Sequence, residues 1–149
     1  MLLQSAIGDA YGAGFEFEKP EIIAQENTLI RYKAHPLYTE IQGRYTDDTQ
    51  MAIAIAELML SSDEWSPERL ADGFVQSFQR DPRRGYSSRF YELLVNVHSG
   101  SELLKELQPN SERNGAAMRA YPIGLYADRQ EVLAKAALQA KITHDTLAG

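Results

Sequence analysis

The run Thr46-Asp47-Asp48 puts one hydroxyl and two carboxylates on consecutive residues, where a glycine-containing loop gives way to an apolar helix. Successive helical side chains project about 100° apart, so three oxygens at a helix start converge on one small volume. Part of the shell of a hard cation has this form, because Mg2+ takes octahedral oxygen ligands and keeps several of its waters. The chain has no cysteine, which leaves oxygen and imidazole as the ligands for any metal. The same run also suits ordinary helix chemistry, with Thr46 as N-cap and the two acids set against the helix dipole. On spacing alone that is the commoner use.

Two other segments bear on the choice. In GDAYGAGFE, Glu16 follows Asp9 by seven residues, just past a glycine-rich helix end where a backbone can turn back tightly. In RNGAAMRAYPIG, an Asn-Gly pair opens a run of small residues whose free amides suit a diphosphate, although Asn-Gly is most often simply a turn. His35 and His98 are lone histidines and read as surface or packed residues rather than ligands. Tyr86, Phe90 and Tyr91, at helical spacing, read as core. Trp65 reads as packing over the start of the helix that follows it.

The elements that must position these residues are helical. Apolar residues recur at helical spacing, and sustained period-two alternation is absent, so the sequence predicts an all-α fold in a single domain over 1–149. A first helix is expected over 2–13, with Gly8 and Gly12 on one face where another backbone can approach. Residues 15–35 are mixed and 36–44 form a loop. The next helix begins at Thr46, with Met51, Ile55, Leu58 and Met59 at core positions. Ser66-Pro67-Glu68 starts a helix that should reach about Gln79. A loop through Gly85 leads to a helix carrying Phe90, Leu93, Leu94 and Val97, then a short helix over 101–107 and a loop over 108–114. Asp128 opens a last helix ending near Thr143. A formal charge of −6, with Arg80-Asp81-Pro82-Arg83-Arg84 as the longest basic cluster, excludes a surface that tracks nucleic-acid phosphates. The N-terminal apolar stretch is broken by Gln4, Gly8 and Asp9, so neither a secretion signal nor a membrane span is expected, and a cytoplasmic location follows by default.

Taken in order, GDAYGAGFE, YTDDTQMA, NGAAMRAYPIG and the pair Thr143-His144 resemble the ADP-ribosylglycohydrolase family over nearly the whole chain. The resemblance implies an all-α multi-helical fold that binds two Mg2+, or Mn2+ in some members. It also implies hydrolysis of the glycosidic bond between ADP-ribose and an acceptor. By motif position, Glu16, Thr46, Asp47 and Asp48 are the implied metal ligands, with Glu16 also near the reacting ribose. Asp81 matches an acidic residue that serves as general base in some relatives. Asn114, Gly115, Ala116, Met118 and Arg119 fall where the family holds the diphosphate and ribose, and His144 where it has a substrate-contacting histidine.

The sequence departs from the family in two places. Members run to about twice this domain-sized length, and their second acidic motif, of the DxD-Thr/Ser kind, does not occur here. Arg113 stands where relatives often have glycine. The expectation is therefore a fold cut short on its C-terminal side, with an incomplete site. Hydrolysis by the chain alone would be weak or absent unless a second copy or a partner completed the site. The alternatives are a non-catalytic ADP-ribose-binding module and a structural fragment.

Overall fold

Leu70, Ala71, Phe74, Val75 and Phe78 recur along one face of the segment after Ser66, and all five are buried. Their spacing makes an amphipathic helix whose apolar stripe must be covered. It is α4 (Pro67–Arg80), started by Pro67 and capped by Ser66, whose Oγ accepts from the Arg69 amide at 3.2 Å. α4 packs against α3 (Asp47–Leu60) on one side and α6 (Gly100–Glu106) on another. Ala54, Ile55 and Leu58 of α3 join Leu94, Val97, Leu103, Ile123 and Ile142 around it in one core.

The computed structural model describes residues 1–61 and 64–147. Around α3 and α4 lie α1 (Leu2–Gly12), α2 (Pro20–Glu26), α5 (Ser88–Asn96), α7 (Gly115–Met118) and α8 (Arg129–Lys141). Short 3-10 turns occupy Ala13–Phe15, Thr39–Ile41 and Tyr121–Leu125. The fold is all-α; among the described residues the extended pairing is one isolated antiparallel bridge, Asn110 to His144. No helix among them is long and apolar enough to cross a membrane.

Several boundaries differ from the sequence reading for local reasons. α1 ends at Gly12, and the chain tightens into the turn that presents Glu16. α2 lies inside the stretch read as mixed; Pro20 starts it, but none of its residues is buried, so it carries no core periodicity. The short helix begins at Gly100 because Ser99 caps it, its Oγ accepting from the Glu102 amide at 3.3 Å. Among the described residues nothing lies within 4 Å of a Cβ added at Gly8 or Gly12. The close backbone approach expected there is not made among the described residues. Trp65 meets Tyr126 edge-on at 6.2 Å and has the Lys135 ammonium 4.3 Å from its ring centre, so it ties α8 to the body.

The start of α3 is held by a residue far from it in sequence. Thr46 occupies the N-cap position but makes no side-chain cap hydrogen bond. The Asp9 carboxylate, from α1, accepts instead from the Thr46 amide at 2.8 Å, the Thr46 hydroxyl at 2.7 Å, the Thr49 amide at 3.3 Å and the Thr49 hydroxyl at 2.6 Å. A carboxylate there satisfies orphan amides and sits at the positive end of the helix dipole. One turn on, buried Gln50 donates to the carbonyls of Ser77 and Asp81 at 3.1 and 2.6 Å and accepts from the Tyr86 hydroxyl at 2.9 Å. Gln50 thereby fixes the loop after α4 against α3. A buried amide is tolerated because its donors and its acceptor are both used.

Candidate functional site

A cleft of about 590 Å3 opens where α1, α3, the start of α5 and the α7 segment meet. It gathers most of the residues singled out in the sequence: Glu16, Thr46, Asp47, Asp48, Asn114, Gly115, Met118, Arg119 and His144 all line it. Tyr86 and Phe90 line it too while packing on one another at 5.7 Å, so this aromatic pair serves both core and cleft. Ala116 is buried behind the wall, its carbonyl accepting from Gln139 at 2.9 Å.

Asp81 is not among the cleft residues. Its carboxylate accepts from Arg83 Nε at 2.8 Å, from the Arg83 terminal nitrogen and from the Tyr45 hydroxyl at 3.2 Å. The Arg83 guanidinium holds it below the usual carboxylate range. Such a carboxylate is a weak base.

The acid pair is in the opposite electrostatic state. Burial, and then the neighbouring Asp48 charge, push the Asp47 carboxyl up to about 7. Burial, and then the charges of Asp9 and Glu16, push Asp48 up to about 6. Among the described residues neither acid has an ion-pair partner; Arg119 acts on Asp48 only through space. Gly85 closes one side, and its φ of +111° belongs to glycine. A Cβ there would lie 1.9 Å from Asp47 Oδ1, so the loop backbone reaches the acid only because residue 85 has no side chain.

The donor set fits a hard cation. Two carboxylates repel one another without a compensating base, and Thr46, whose hydroxyl proton goes to Asp9, keeps oxygen lone pairs free beside them. Among the described residues no group of three His, Asp or Glu side chains converges closely enough to hold a metal. The residues therefore offer a partial shell, which suits Mg2+, since that ion is often held by one or two carboxylates with waters and substrate phosphates filling the rest.

The far wall is built on a buried cation. Arg119 is 2% exposed, and burial lowers its pKa to about 10. Its Nε donates to Gln139 Oε1 at 2.6 Å, and Nη2 donates to the Gln139 carbonyl at 2.9 Å and to Thr143 Oγ1 at 2.8 Å. Guanidinium only donates, so Thr143 accepts from it; among the described residues the other partner of its hydroxyl is His144 Nδ1, 2.5 Å away, which takes its proton. The remaining imidazole hydrogen is then on Nε2. Burial, and then the Arg119 charge, lower the His144 pKa, so the ring is neutral at pH 7. His144 Nε2 is buried, with no hydrogen-bond partner among the described residues, and a Cβ added at Gly115 would sit 3.7 Å from it. Replacing Thr143 with valine keeps the volume but strands two buried groups, at an expected cost of about 1–3 kcal/mol. Urea denaturation measures this loss, and an unshifted midpoint would show that Thr143 does not carry the chain of bonds.

Four participants had no site role in the sequence reading. Asp9 was visible only as part of a glycine-rich segment. His35, Gly85 and Thr143 had no local signal, because their partners lie in other elements.

The helical body thus carries on one cleft an acid pair without an ion-pair partner among the described residues and a neutral histidine with a buried, unpartnered ring nitrogen. The chain belongs to the ADP-ribosylglycohydrolase family, whose sequence profile it matches over residues 1–149. It is 33% identical over 159 aligned positions to the ADP-ribosylhydrolase ARH3 of Xenopus tropicalis, covering 99% of this chain and 45% of that protein. Against the ADP-ribosylhydrolase ARH3 of Homo sapiens it is 32% identical, covering 99% and 43%. An uncharacterized protein of Archaeoglobus fulgidus is 29% identical, with 96% and 48% covered. The chain thus spans about half the length of the curated relatives it matches.

Proposed function

We propose that this chain forms one part of an ADP-ribosyl-acceptor hydrolase site, binding ADP-ribose or an ADP-ribosylated substrate in the cleft. The observation that carries the reading is the placement of the unpaired Asp47-Asp48 carboxylates and the orphaned His144 donor on the same cavity wall system. Thr46, Asp47 and Asp48, with Glu16 nearby, are the residues that would hold Mg2+ or Mn2+. Such a cation supplies Lewis acidity, polarising oxygen and making water a better acid.

The chain's own residues do the rest. His144 offers Nε2–H to a phosphate or ribose oxygen, and the small residues from Asn114 to Ala117 let a ligand approach their backbone. Glu16 lines the cleft and its side chain is about half exposed, so the role of proton acceptor falls to it rather than to Asp81. General-base transfer requires this reach more than any particular pKa.

A second reading has an observation behind it. Because three acidic or imidazole ligands do not converge among the described residues, the chain can bind ADP-ribose without cleaving a bond, unless another copy or a partner adds ligands. Titration calorimetry with ADP-ribose, with and without Mg2+, is expected to show binding that tightens with the cation. No heat under either condition would sink both readings. Release of ADP-ribose from a modified protein, followed by chromatography, separates turnover from binding.

A further inference from the structure

Glu16 is the one acid of the cluster that sits on an irregular segment, and its neighbours Asp47 and Asp48 both repel it. A flexible, half-exposed glutamate in that field would swing toward water unless something held it. Behind it lies His35, 2% exposed, with Nε2 3.3 Å from Glu16 Oε2. The other ring nitrogen, Nδ1, accepts from the backbone amides of Leu37 at 2.9 Å and Tyr38 at 3.1 Å. Two amide donors on Nδ1 leave the hydrogen on Nε2, pointing at the carboxylate.

The loop that presents His35 is tied to the Glu16 segment on every side. A Cβ at Gly14 would lie 2.5 Å from the Lys33 carbonyl, so the two backbones touch there. Lys33 pairs with Glu18 and Glu26, each at 2.7 Å. Phe17, directly after Glu16, turns through a φ of +62° and sets its ring edge-on to His35 at 6.1 Å. The Tyr38 ring packs on the imidazole in a tilted arrangement, centroids 5.1 Å apart.

We propose that His35 is a positioning residue, whose fixed Nε2–H donor holds the Glu16 carboxylate facing the acid pair. A neutral donor suits this place: lysine or arginine would orient the carboxylate equally well but would neutralise the negative potential that attracts a cation. The consequence for cation binding rests on the metal site proposed above, whereas the orientation of Glu16 does not.

The test uses the metal-free chain first. Long-range nitrogen-proton NMR is expected to show His35 as the Nε2–H tautomer, and side-chain couplings are expected to show Glu16 in one χ1 rotamer. His35→Phe keeps a packed ring but no donor, and Glu16 should then average over rotamers; His35→Gln, with donor and acceptor restored, should recover the single rotamer. An Nδ1–H tautomer, or unchanged Glu16 couplings in folded His35→Phe, overturns the proposal. If His35→Phe does not fold, His35→Gln decides by itself, since averaging of Glu16 in that variant also overturns it. With Mn2+ added, second-sphere positioning predicts about tenfold weaker binding in His35→Phe. Glu16→Gln should weaken it too, with no further loss when the two are combined, and additive losses would count against a shared action. Absence of Mn2+ binding by the wild-type chain would fell the metal reading and leave the rotamer result to judge His35.

Discussion

Asp47→Asn is expected to raise the melting temperature of the metal-free chain by about 4 to 8 °C near pH 8 and to abolish stabilisation by added Mg2+. The direction follows from the burial of Asp47 beside a like charge. Its pKa is raised from the ordinary 3.8 to about 7, so the folded chain favours the protonated form. That contribution to stability is fully present below about pH 4 and is lost as pH rises through about 7. Holding the ionised carboxylate in the cleft then costs on the order of 2 kcal/mol, after allowance for the water that reaches it. Asparagine has the same shape and never ionises, so between about pH 5 and 8 the variant should decline less than the wild type, the remaining loss coming from Asp48, which burial and the Asp9 and Glu16 charges hold at about 6 in both. A cation held as proposed would reverse the balance, because it would bind the ionised pair more tightly in the folded chain than in the unfolded one. Thermal scans across pH with chelator and then with Mg2+ measure both effects. A wild-type midpoint that rises with pH in chelator would contradict the electrostatic account.

Gly85→Ala is expected to be the most damaging small substitution on the cleft, although glycine 85 contributes no side chain. The added methyl meets Asp47 Oδ1 at 1.9 Å, and the backbone φ of +111° is one that alanine rarely adopts. Backbone strain of this kind costs about 1–3 kcal/mol, corresponding to a fall of about 3 to 10 °C in melting temperature. Displacing the Asp47 carboxylate should also remove the Mg2+ response, even though every proposed ligand is still present. Calorimetric scanning with and without Mg2+ gives both numbers. A variant with the wild-type midpoint and an intact Mg2+ response would show that the contact is not needed.

The helical fold was legible because its signals are local. α4 announces itself through Ser66, Pro67 and an apolar stripe, and α8 through Asp128, whose carboxylate accepts from the Gln130 amide at 3.0 Å. The motif residues were legible through their order along the chain, and the structure brings Glu16, the Thr46 run, the Asn114 segment and His144 to one cleft. What was hidden is the set of groups that hold them. The Thr46 run was read as either a helix cap or a ligand set, and the capping role belongs to Asp9. α2 escaped because it buries nothing. His35 looked like any lone histidine, since its value lies in a carboxylate 19 residues away. Asp81 matched by position, yet the nearby Arg83 and Tyr45 both donate to its Oδ2, and this pairing cannot be read from the run of letters.

The long reach of the bonds around α3 also bears on the order in which the molecule assembles. Asp9 closes loops of 37 and 40 residues onto Thr46 and Thr49, and Arg119 reaches Met51 Sδ across 68. Closing such loops costs entropy before any contact repays it, and distant pairings slow folding relative to local helix formation. The helices can therefore form early, while the surroundings that make Asp47 and Asp48 unusual come together last. In a partly folded chain the two aspartates are ordinary, well-solvated acids that bind any divalent ion loosely and briefly. Any selectivity of the proposed site for a cation would thus be acquired at the end of folding, as a property of the closed topology.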